Sequence, residues 1–419
     1  MSRLGDSALG IPPFRRLWTA GLISDAGDWL LFIALPLVVL KLSGSALGTS
    51  IAFLLELIPA VALAPVIARI VDRVDRRTLL VVVTIGQGLS LVPLLFVHTR
   101  ADLSLVYGVI VAQAIFSAAF EPAKSALLPT LVGRDRIVSA NALVGLNQNL
   151  GRLVGGPLGG VILVAGGLDA VVVADLVSYA ASAVLVAGLP GGAGDVRRAG
   201  RASRVENGGI AHTLQDPRMR GPLLVFAVAS IPQGLFVVLF VFFVTGPLGG
   251  SDADVGLLRG VQAIGAIVAG IALGFVASRF DVRRLTVIGV GAFAVLSLVL
   301  WNLPFASHAL GLYVALFILI GAPGVFMGAG LTSILQLITA ERDRGTVFTA
   351  VGLVTAVGQS LGMIVAGLFT STVGVLPLLE LQGALYVTAA VLAVFVLPRV
   401  EHPARLLVPA VTADRDRKP

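Results

Sequence analysis

The 419-residue sequence contains no cysteine. Disulfides, thiolate metal sites and cysteine nucleophiles are therefore excluded. Charge is scarce: Asp, Glu, Lys and Arg together make 13% of the chain, about half the share found in soluble domains. Four histidines occur (His98, His212, His308 and His402), too far apart in sequence to read as a metal motif. Aromatic residues make 6%, and no basic–aromatic motif of a nucleic-acid binder is present. There is no Gly-x-x-x-x-Gly-Lys-Ser/Thr loop, so ATP hydrolysis by that route is excluded. Neither a cofactor nor a nucleic-acid partner is expected. What the chain has in excess is apolar: 57% hydrophobic residues and 49 glycines, with a mean hydropathy of +0.98. Such a composition argues against both a soluble enzyme and a disordered chain.

The apolar residues fall into blocks. A membrane-spanning helix needs about 20 mostly apolar residues. Six such blocks lie in the first half, at 17–41, 46–68, 78–97, 104–127, 137–165 and 168–190. Six lie in the second, at 221–246, 255–277, 285–303, 309–338, 345–372 and 375–397. None alternates with period two, which argues against a membrane β-barrel. No removable leader is evident, so the first block is expected to remain in the membrane. Assigning Lys and Arg to alternate loops places 25 on one side, against Lys41 and Arg100 on the other. That asymmetry predicts both termini in the cytoplasm and explains the net charge of +7. The expected fold is an all-α integral membrane protein of twelve transmembrane helices in two pseudo-symmetric six-helix bundles. Its parts are bundles over 1–190 and 221–398, a Gly- and Arg-rich cytoplasmic linker over 191–220, and a tail over 399–419. The end of the linker, from Ile210 to Arg220, reads as a short amphipathic helix.

An internal repeat supports the two halves. Asp72-Arg73-Val74-Asp75-Arg76-Arg77 joins blocks two and three. Ser278-Arg279-Phe280-Asp281-Val282-Arg283-Arg284 joins blocks eight and nine, 206 positions later. The first stretch resembles the loop signature Gly-x-x-x-Asp-Arg-x-Gly-Arg-Arg of the major facilitator superfamily, with Ala68 and Asp75 at the two glycine positions. Phe14-Arg15-Arg16-Leu17-Trp18, Ser24 to Trp29, Glu121 to Pro129 and Gly151 to Gly160 resemble the drug-exporter branch, near macrolide-efflux and enterobactin-exporter proteins. Gly156-Pro157-Leu158-Gly159-Gly160 is similar to part of the antiporter signature of span five, although Arg152 and Val161 replace two of its glycines. The resemblance implies alternating access, proton antiport, an amphipathic small-molecule substrate and a place in the cell membrane. A monomer surrounded by lipid is expected. An importer or facilitator of a polar metabolite is the alternative.

Charges within spans are costly and usually functional. Asp28 lies about eleven residues into the first block, about 16 Å from its edge at about 1.5 Å per residue. Asp25 is one turn away on the same face. Glu56 and Arg152 lie near the middles of spans two and five. Together they suggest a midplane proton-coupling site, with Arg152 as counter-ion; the alternative is a static network that braces the helices. Asp72, Arg73, Arg76 and Arg77 read as a cytoplasmic latch between the halves, a role the resemblance implies, or simply as topology charges. Glu121 and Lys124 read as a local pair. Asp175, Arg259 and Glu380 fall in outer thirds and read as vestibule or interface residues. Gln113, Asn147, Gln148, Asn149, Gln233, Gln262 and Gln359 are candidate cavity residues, and Gln262 is the neutral counterpart of Glu56. Gly155, Gly156, Pro157, Gly159 and Gly160 are expected to let span five pack closely.

Overall fold

The computed structural model describes residues 8–190, 213–276, 281–340 and 343–398. Ser278, the linker residues 191–212 and the tail from 399 lie outside them. Among the described residues the regular structure is all helical. The first half contains α1 (Pro12–Ser43), α2 (Ala46–Arg73), α3 (Arg76–Leu91) and α4 (Leu103–Val132). A 51-residue helical run, Ile137–Ala187, follows. Unbroken, it would be about 75 Å long, more than twice the hydrocarbon thickness. It breaks at Gly167, with φ 70° and ψ −167°, a conformation that a residue with a Cβ disfavours. Its arms are α5 (137–166) and α6 (168–187). The second half contains α7 (Pro217–Thr245), α8 (Asp252–Val276), α9 (Val282–Asn302), α10 (Leu310–Ile338), α11 (Arg344–Val373) and α12 (Val375–Val396). Among the described residues eleven helical runs are long and apolar enough to cross a membrane, and the run broken at Gly167 has the length of two crossings. This is a twelve-crossing, multi-pass membrane protein.

Polar caps set several helix starts. Asp216 accepts from the Arg218 amide at 2.8 Å and Pro217 occupies the first turn, so α7 begins four residues before its apolar block. Asp75 and Asp281, 206 positions apart, cap α3 and α9 in the same way, accepting from Thr78 and Arg284 amides at 2.9 and 3.0 Å. Two residues on, Arg77 donates to the Ala187 carbonyl at the end of α6, and Arg283 donates to the Val394 carbonyl at the end of α12. A guanidinium at a helix C-terminus satisfies free carbonyls there. In this conformation Arg77 thus ties together helices of its own half. Arg73 is exposed and Arg76 half-buried, and the side chain of Asp72, in the last turn of α2, is outside the described residues.

Within each half, small residues bring backbones together, since lipid provides little hydrophobic drive between helices. A Cβ built on Gly155 of α5 would lie 2.2 Å from the Ala26 carbonyl oxygen of α1. In the second half, a Cβ on Gly362 of α11 would lie 2.0 Å from the Ile231 carbonyl oxygen of α7. Between the halves, α5 meets α8 where Gly156 faces Gly256 and Gly260, and Gly160 faces Asp252 and Ala253. The symmetry-related contact sets Gly367 of α11 against Ser50 and Leu47 of α2. Both contacts lie away from the face on which α1 starts and α12 ends. On that far side the largest buried apolar cluster draws residues from both halves. Towards the termini the buried clusters separate, one in the first half and three in the second. The halves are closed on the far side and part towards the termini.

Among the described residues one ion pair joins the halves on the closed side: Lys41, in the last turn of α1, binds Asp252 at the start of α8. It is partly exposed, so it contributes about 0.2–1 kcal/mol. Because the chain has no cysteine, opening can be read at Ser50→Cys, a fully buried position between α2 and α11. Lys41→Asp is expected to raise maleimide labelling of that cysteine about twofold to fivefold, as a loss of this size implies. Adding Asp252→Lys should return labelling to its starting level.

Candidate functional site

Five helices of the first half (α1, α2, α3, α4 and α6) line an open-sided cavity of about 550 Å³. Its walls are apolar, with Leu31, Phe32, Leu35, Phe53 and Ile110 among them, and Trp29 adds an indole. Asp28, Glu56 and Glu121 bring carboxylates to it from three different helices. Gln87, Gln113 and Tyr179 provide the neutral polar groups. A few polar groups in an apolar, drug-sized cavity are the usual make-up of a small-molecule site.

Asp28 sits at the centre of a network. The buried Tyr179 hydroxyl donates to Asp28 Oδ1 at 2.5 Å and lies 3.2 Å from Gln113 Oε1. Gln87 Nε2 donates to the same hydroxyl oxygen at 3.3 Å, and Gln113 Nε2 donates to the Gln87 carbonyl at 2.9 Å. A phenol has one hydrogen and two candidate acceptors here. When Asp28 is ionised, the phenol hydrogen points to it. When Asp28 is protonated, its own O–H donates to Tyr179, and the phenol hydrogen turns to Gln113. In both protonation states the hydrogen bonds that link Asp28, Tyr179 and Gln113 are kept.

The other charged candidates are placed differently. Glu56 is exposed to the cavity. Glu121 forms an ion pair with buried Lys124 at 2.5 Å and still lines the cavity, which the expectation of a local pair did not include. Asp25 faces α5, its Cβ 2.7 Å from where a Gly151 Cβ would stand, and its Oδ2 is buried without a hydrogen bond. Arg152 makes no ion pair with Asp25 or Asp28; it donates to Asn149 at 3.3 Å and lies over the Trp29 ring at 5.8 Å.

Asp175 is not at a vestibule. It is fully buried, accepts from Ser178 at 2.7 Å, and its Oδ1 stands 2.0 Å from where a Gly27 Cβ would lie. Only a residue without a side chain at position 27 leaves room for it. Of the two expected places for Arg259, the interface is the one found: it sits among aromatic rings between the halves. Glu380 does lie at a helix edge, accepting from Asn302 at 2.6 Å.

Of the seven uncharged candidates, Gln113 lines the cavity, and Gln148 is exposed. Asn147 donates to the Trp18 carbonyl at 2.8 Å and braces α5 on α1. Asn149 donates to the Gly145 carbonyl at 3.3 Å, and Gln262 accepts from Arg259 at 3.4 Å. Gln233 is exposed, and the Gln359 carbonyl packs on Gly234. Pro157 packs against Gly260 across the halves. Tyr179 and Gln87 were missed. Tyr179 falls one turn after Asp175, a spacing that marks a shared face, but no residue pattern assigns that face to the cavity.

The family model described as Major Facilitator Superfamily matches residues 17–247 and again 222–418. Macrolide efflux protein A of Streptococcus pyogenes is 22% identical over 401 residues, covering 90% of this chain and 94% of that one. Multidrug efflux pump Tap of Mycolicibacterium fortuitum is 28% identical over 382 residues, covering 86% and 90%. Among solved structures, a bacterial homologue of the iron transporter ferroportin in its inward-facing state superposes with a TM-score of 0.73. Its identity is 16%, over 91% of this chain and 98% of that one, so the likeness concerns the fold. With family matches over both halves, the chain belongs to the Major Facilitator Superfamily of membrane transporters.

Proposed function

We infer that this transporter exports amphipathic small molecules in exchange for protons, from a cell membrane in which both termini face the cytoplasm. The observation that carries this reading is the cavity that gathers Asp28, Glu56 and Glu121 among apolar walls, with Asp28 held by a phenol that accommodates either protonation state. The charge bias of the loops supports the orientation. In it, the parted side of the molecule faces the cytoplasm and the closed side faces out. The relatives named as efflux proteins support the direction of transport.

Coupling follows from competition. A substrate carrying a positive or hydrogen-bond-donating group engages the carboxylates in their ionised form, while protons neutralise them. Occupation by one therefore expels the other, and the bundles rock with the cavity either substrate-loaded or protonated. The apolar walls hold the rest of the substrate without demanding one shape.

The test uses inverted vesicles with an acidified lumen and a lumenal pH dye. Lipophilic cationic dyes and macrolides are added in turn. At least one compound is expected to alkalinise the lumen with the intact protein, and none in vesicles without it. Equilibration of radiolabelled compounds with no proton movement would overturn antiport and leave a facilitator.

A further inference from the structure

Arg259 of α8 lies between the two halves in a box of four aromatic rings. Its guanidinium is 4.8 Å from the Phe236 centroid, 5.7 Å from Phe32, and 5.9 Å from both Trp29 and Phe240. Trp29 and Phe32 belong to the first half, Phe236 and Phe240 to the second. Arg152 approaches the same Trp29 ring from α5, at 5.8 Å. Two like charges, one from each half, therefore flank one indole. Among the described residues neither forms an ion pair with a carboxylate. Arg152 Nε is buried with no hydrogen bond, and the bond from Arg259 to Gln262 is long, at 3.4 Å. Both side chains are half-buried, so each keeps an open edge.

Aromatic faces offset part of the cost of a guanidinium away from water. They satisfy none of its N–H donors and do not cancel the repulsion between two of them. A carboxylate does both, through paired N–H···O bonds in the plane of the fork. The rings around Arg259 would then receive the apolar part of the same molecule. We propose that Arg152 and Arg259 form an anion-binding site between the halves, for an aromatic or apolar monocarboxylate. Neither arginine lines the acidic cavity, although Trp29 and Phe32 are common to both places, and the site draws on both bundles. A bound carboxylate therefore ties the halves together in the conformation seen here. The proposal goes beyond proton coupling and does not need it.

Its test is equilibrium binding without a gradient, which keeps its failure distinct from a failure of antiport. Purified protein in detergent is titrated calorimetrically with 2-naphthylacetate and with the neutral 2-naphthaleneethanol, against empty micelles. The acid is expected to bind about tenfold more tightly than the alcohol, the scale of one charge-assisted hydrogen bond. Arg259→Gln and Arg152→Gln should each remove that preference, so that acid and alcohol bind equally. Arg259→Lys keeps the charge without the fork; it should retain part of the preference, and it serves as the second variant if Arg259→Gln unfolds. Equal binding of acid and alcohol by the unmutated protein overturns the proposal. So does a preference that survives the loss of either arginine.

Discussion

Asp28→Asn is expected to abolish compound-driven proton movement in energised vesicles, a loss of about a hundredfold, the scale on which a positioned proton-transfer group acts. Asparagine keeps the shape and still accepts from Tyr179, so the fold should persist; what disappears is the group that exchanges the proton. Tyr179→Phe separates the two parts of the network. It removes the hydroxyl between Asp28, Gln87 and Gln113 and leaves Asp28 chemically intact. Buried groups left without partners cost about 1–3 kcal/mol each. Proton-coupled transport should therefore fall about tenfold in Tyr179→Phe, with labelled substrate still bound. If Asp28→Asn kept gradient-driven accumulation against equilibrium, Asp28 would be a structural residue and coupling would have to rest on Glu56 or Glu121.

The second large effect concerns the contact between the halves. A Cβ added at Gly256 would lie 2.3 Å from the Gly156 carbonyl oxygen and 3.0 Å from the Gly160 nitrogen. Both are backbone atoms of α5, which cannot rotate away as a side chain does. Overpacking of this kind costs about 1–3 kcal/mol. The cost falls only on the conformation in which α5 and α8 touch. Gly256→Ala is therefore expected to raise labelling of Ser50→Cys by about tenfold or more, since about 1.4 kcal/mol shifts a two-state ratio tenfold. Gly155→Ala is the contrast. Its clash with the Ala26 carbonyl lies within one bundle and is present whichever way the halves rock. It should lower the unfolding temperature without raising labelling. Equal labelling in the two variants would show that the α5–α8 contact does not hold the closed side.

The crossings were legible because a lipid environment demands one feature that composition displays directly: about 20 apolar residues per helix. The break between the fifth and sixth crossings was legible too, as Gly166-Gly167 between two apolar blocks. The duplication was visible in Asp75 and Asp281, and the structure adds that both serve as helix caps. Asp28 and Glu56 stood out because charge is rare within spans. The same criterion missed Tyr179 and Gln87, which carry no charge and are unremarkable in composition. It also placed Asp175 and Arg259 by distance along the chain, which says nothing of the neighbouring helix. Asp175 is buried because Gly27 opposite it has no side chain, and Arg259 is enclosed because α1 and α7 both turn aromatic faces to it.

What the sequence by itself determined is therefore what each helix needs on its own: length, hydropathy, capping residues and the sidedness of its basic loops. These are one-dimensional properties, set by lipid and water acting on each segment separately. The tertiary structure decided which faces converge. It placed three carboxylates from three helices around one cavity, set two arginines from opposite halves about one indole, and closed one side of the molecule through glycine contacts across the halves. Those outcomes depend on the rotation and approach of whole helices, which close backbone packing fixes and no single segment encodes.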